Sequence, residues 1–81
     1  MKKTNLLTQL EELCTRLSII IKYDRFFGRG GYCRLRNQAY FIINKRLSSD
    51  AKEQIFLNEL RSMDINRSEI PDRIQTLIEN Q

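Results

Sequence analysis

The chain predicts a single α+β domain spanning residues 1–81, of order α-β-β-β-α-α, in which a three-stranded antiparallel sheet carries its helices mainly on one face. Three observations lead there. Leucines recur at helical spacing near the start, the middle turns β-branched and aromatic around a glycine cluster, and the last third returns to helical periodicity behind two start signals.

Thr4 is placed to N-cap a helix running from about Asn5 to Leu17. Leu6, Leu10, Leu13 and Leu17 form its apolar stripe, widened by Leu7 and Cys14, and Glu11, Glu12 and Arg16 are expected in solvent. Ile19-Ile20-Ile21 then opens a strand that alternates through Tyr23 and Asp24. Phe26-Phe27 lead into Gly28-Arg29-Gly30-Gly31, where glycines permit positive φ and a tight crossing of backbones.

A second strand is expected over Tyr32–Arg36 and a third over Ala39–Asn44, joined at Asn37-Gln38 because asparagine tolerates the left-handed conformation. That loop groups Cys33, Leu35, Tyr40 and Ile42 on one face, read as core, and Tyr32, Arg34, Arg36, Phe41 and Ile43 on the other, read as a basic and aromatic surface. Ser48 caps a second helix reaching about Met63, which buries some of Ala51, Ile55, Phe56, Leu60 and Met63. Pro71 suits the first position of a last helix carrying Ile74, Leu77 and Ile78.

Composition narrows the function classes. At 41% hydrophobic and 30% charged residues the chain is that of a folding soluble domain. Met1-Lys2-Lys3 is not followed by an apolar stretch, and the longest aliphatic run, Ile19–Ile21, is far below the roughly 20 residues that span a bilayer. A cytoplasmic protein without membrane contact is expected. Cys14 and Cys33 fall at apolar positions and are read as reduced, buried thiols.

There is no histidine, which removes the usual general base and zinc ligand. No catalytic residue, metal site or cofactor is expected, and the chain is read as non-enzymatic. Its net charge of +4 is concentrated: residues 22–46 carry Lys22, Arg25, Arg29, Arg34, Arg36, Lys45 and Arg46 against Asp24, a net +6, whereas residues 47–81 are net −3.

The candidate binding residues are therefore Arg29, Tyr32, Arg34, Arg36, Lys45 and Arg46, on a basic β-hairpin spanning residues 28–46. Guanidinium and ammonium groups neutralise phosphates and a ring stacks on unpaired bases, so nucleic-acid contact is the leading expectation. The alternative is a protein-interaction module, monomeric or homodimeric, that meets an acidic partner or pairs through a sheet edge or an apolar patch around Phe26, Phe27 and Phe41.

The stretch GRGGYCRLR, the strand ending IINK and the serine-capped helix that follows resemble a family of short uncharacterised conserved bacterial proteins, which implies a small cytosolic protein and brings no established activity. More distantly, the hairpin, the strand ending Ile-Asn and the capped helix are similar to the core of zinc-dependent peptidases whose helix carries HExxH. The matching positions here are Asn58-Glu59-Leu60-Arg61-Ser62, with both histidines replaced, which implies a scaffold without catalytic zinc.

Overall fold

A computed structural model describes residues 3–26 and 28–79. Met1, Lys2 and Phe27, used in the sequence reading, lie outside the described residues. The elements follow the expected order: α1 (Asn5–Arg16), β1 (Ile19–Asp24), β2 (Gly30–Leu35), β3 (Gln38–Asn44), α2 (Ser49–Ser62), a 3-10 turn at Arg67–Glu69, and α3 (Asp72–Glu79). Both expected caps form. Leu7 N donates to the Thr4 hydroxyl at 3.1 Å and Ala51 N to the Ser48 hydroxyl at 3.2 Å, each satisfying a first-turn amide that the helix cannot.

The sheet departs from expectation. Its order is β1-β3-β2, with β1 parallel to β3 and only β2 antiparallel to it, so it is mixed rather than wholly antiparallel. Strand composition gives the reason. β3 is nearly continuous in apolar residues and gains most from the centre, whereas β2, with two glycines and an arginine, is suited to an edge.

The connection Arg25–Arg29 must then pass across the end of β3, and the glycines serve that crossing. Gly28 and Gly30 have φ of 105° and 111°. A Cβ on Gly30 would lie 2.1 Å from the carbonyl oxygen of Ile42, so no other residue fits this approach. Asn44 staples the crossing from below. Its Nδ2 donates to the carbonyls of Phe26 and Gly28, both at 2.9 Å, and its backbone N–H to that of Arg29 at 3.0 Å.

All three helices pack on one face. Leu7, Leu10, Leu13 and Cys14 of α1, Ile55, Phe56, Leu57 and Leu60 of α2 and Ile74 of α3 close over Ile19, Ala39, Phe41 and Ile43. The rings of Phe41 and Phe56 meet edge-on with centroids 4.7 Å apart, at the middle of this core. Among the described residues no helix is long and apolar enough to cross a membrane.

Candidate functional site

The hairpin turns at Arg36-Asn37, since Leu35 pairs with Gln38, one residue earlier than expected. Arg36 takes the positive φ, 58°, that the sequence reading gave to Asn37. Moving the loop by one residue moves every cross-strand partner by two, so the grouping of side chains by face survives. Which face is core is reversed. Phe41 and Ile43 are fully buried under the helices with half-buried Tyr32, while Cys33, Tyr40 and Ile42 are half-buried and Leu35 exposed on the face that no helix covers.

The reversal has a physical reason. Exposure of Arg34 does not require that its whole set face solvent, because Arg34 lies on the edge strand and stays exposed although it shares its face with Ala39. Arg36 lies in the loop. Neither arginine has to enter the core when Phe41 does.

The six candidate residues consequently do not form one surface. Arg29, Lys45 and Arg46 are exposed where β2 begins and β3 ends. Arg34 and Arg36 are exposed at the opposite end, about 20 Å away at the ~3.3 Å rise of a strand. Tyr32 belongs to neither group; its ring packs against Phe41 with centroids 5.7 Å apart on the helix-covered face, which makes it a poor stacking platform.

Sequence reasoning left Arg25 out of the site. Because β1 runs parallel to β3, its last residue comes beside Asn44, and Arg25 joins Arg29, Lys45 and Arg46 at the same end. The backbone there is fixed closely: Lys45 N donates to Asp24 O at 2.9 Å, Arg46 N to Asn44 Oδ1 at 3.0 Å, and Arg25 N to Asp24 Oδ1 at 2.8 Å. Among the described residues the ion pairs are Lys3–Glu11 and Arg67–Glu79, so none of these four cations is paired with a carboxylate. The signal for Arg25 was already in the chain, since it directly follows β1 in the loop that carries Arg29 and belongs to the basic run of residues 22–46.

A second polar cluster lies under the outer edge of β1. Glu11 is half-buried rather than solvated: it accepts from the Tyr23 hydroxyl and pairs with Lys3 at 2.8 Å. The ammonium groups of Lys3 and Lys52 stand 5.7 and 5.1 Å from the centroid of the Tyr23 ring. Burial, the bond to Glu11 and its negative charge all push the Tyr23 hydroxyl up, and burial followed by Glu11 pushes the Cys14 thiol up to about 12. Such groups are held neutral, which suits a structural junction between α1, β1 and α2.

Both cysteines are free, Cys14 buried and Cys33 half-buried on the uncovered face rather than in the core. In α2, Asn58 Oδ1 accepts from Arg61 Nη1 at 3.1 Å and Ser62 Oγ donates to the carbonyl of Glu59 at 3.0 Å, so both positions that match metal-binding histidines are engaged within the helix. Among the described residues no three His, Cys, Asp or Glu side chains come together as a metal ion would need. No family model, curated protein or solved structure matches the chain.

Proposed function

We propose that the protein is a non-enzymatic binding domain for nucleic acid, which it grips by the phosphate backbone at the crossing end of the sheet. The observation that carries this reading is the gathering of Arg25, Arg29, Lys45 and Arg46, exposed and without an ion pair to a carboxylate among the described residues, on a backbone pinned by Asn44. Pinned cations lose less freedom on meeting phosphate than cations on a mobile tail. Arg34 and Arg36 supply a second contact along the same polyanion.

Counterion release makes the test quantitative. Anisotropy titration of a labelled single-stranded RNA against KCl concentration should give a log-log slope near −4.2 for six contacts at about −0.7 each. The double variant Lys45→Glu with Arg46→Glu should flatten the slope by about 1.4. Binding that ignores salt, or no binding to RNA or DNA at low ionic strength, would remove the proposal.

A further inference from the structure

The uncovered face of the sheet has no role in phosphate gripping, and its composition is unusual for a face left to water. A half-exposed antiparallel pair normally alternates apolar inward and polar outward. Here the outward positions include Ile20, Cys33, Leu35, Tyr40 and Ile42, with Ile20 and Leu35 43% and 61% exposed. Lys22 lies among them, its Nζ 5.6 Å from the centroid of the Tyr40 ring.

Resting on the nucleic-acid reading above, we infer that this face is where unpaired bases of a single strand lie, with Tyr40 as the stacking ring. The cations at the two ends of the sheet fit phosphates on either side of those bases. Charge complementarity favours such an occupant. The face itself carries Lys22 and, at its crossing end, Asp24, and a polyanion laid along β3 meets the clustered cations at both ends.

The size of the face also selects among occupants. Three strands about 4.8 Å apart and about 20 Å long present roughly 300 Å². A stable dimer buries about 800 Å² on each partner, so a second copy seated on this face alone falls well short. A few stacked bases need no more than is there.

The strand must be single because bases inside a duplex have no free face to offer a ring. Beside Tyr40 is a shallow hollow lined by Leu35, Arg36, Asn37 and Gln38 as well as the ring itself. It offers an apolar wall, the Arg36 guanidinium and the Asn37 amide, groups that stack on a base and hydrogen-bond its edge, while Gln38 Nε2 already donates to the carbonyls of Ser18 and Ala39.

The experiment compares Tyr40→Leu and Tyr40→Phe with wild type, using a single-stranded RNA and a duplex DNA of equal charge as probes. Tyr40→Leu keeps an apolar side chain on the strand, and circular dichroism and thermal melting establish that it folds. It should bind the single strand at least tenfold more weakly, with duplex affinity unchanged, while Tyr40→Phe retains wild-type binding. Equal loss on both probes, or no loss in Tyr40→Leu, overturns the inference. If Tyr40→Leu binds normally while Lys45→Glu with Arg46→Glu does not, the phosphate grip survives without base stacking; if wild type binds neither probe, both fall. Concentration-dependent dimerisation that Tyr40→Leu abolishes would assign the face to a second copy instead.

Discussion

The two faces of β3 differ in what covers them, and only in the middle of the strand are both apolar, since Gln38 and Asn44 lie at the two ends of the outward set. Ala39, Phe41 and Ile43 look into the helices, and Tyr40 and Ile42 look out. Periodicity sorts residues into two sets; it does not say which set is inside when both are apolar. That is decided by what the neighbouring strands can bring to each face: β1 sends Ile19, Ile21 and Tyr23 inward, and α2 has Phe56 to set against Phe41.

The most severe way to break this comparison is to truncate one residue on each face. Phe41→Ala should cost about 3–5 kcal/mol, since it removes a fully buried ring and both of its aromatic contacts. Ile42→Ala should cost about 1 kcal/mol, because a half-exposed side chain leaves no closed cavity. Urea denaturation followed by circular dichroism measures both. Equal losses would mean that the outer face is covered in solution.

This inversion also marks how far the sequence could be read. The Thr4 and Ser48 caps, the α1 stripe, the element order and the need for glycine at the crossing were all legible, because each depends on residues near one another in the chain. The parallel pairing of β1 with β3 was not, since a five-residue connection normally joins neighbouring strands and this one spans the strand between. Of the cations that the structure gathers at the crossing end, local charge density pointed to Arg29, Lys45 and Arg46. Arg25 was left out although it lies in the same loop as Arg29, and Tyr32 was read as exposed because the core had been assigned to the other face of the sheet.

Titration sharpens the comparison from the covered side. The Cys14 thiol rises from an ordinary 9.0 to about 12 in the folded protein, and Tyr23 rises as well. Above pH 9 the unfolded chain releases a proton that the folded one keeps, so the stabilisation is complete below pH 9 and is lost progressively as the pH rises towards about 12. Each such group contributes a slope of up to about 1.4 kcal/mol per pH unit. Denaturation at pH 8 and pH 11 should show wild type losing more stability than Cys14→Ala does, so that the gap between them narrows. A gap independent of pH would show that the thiol is not held neutral under α1.

The smallest effect concerns the hairpin that joins the two strands, where stability and binding should move in opposite directions. Arg36 holds a φ of 58°, a conformation that costs a residue with a Cβ about 1 kcal/mol and glycine little. Loop geometry alone would therefore favour glycine, and Arg36→Gly should raise stability by about 0.5 kcal/mol after the extra freedom of the unfolded chain is subtracted. The same change removes the guanidinium from the hollow beside Tyr40 and one cation from the hairpin end, so single-stranded RNA should bind several-fold more weakly, with a salt slope flatter by about 0.7. A variant that gains stability and loses affinity would show an arginine kept in a strained loop for what it contacts. One that gains stability and binds as before would return Arg36 to the solvent.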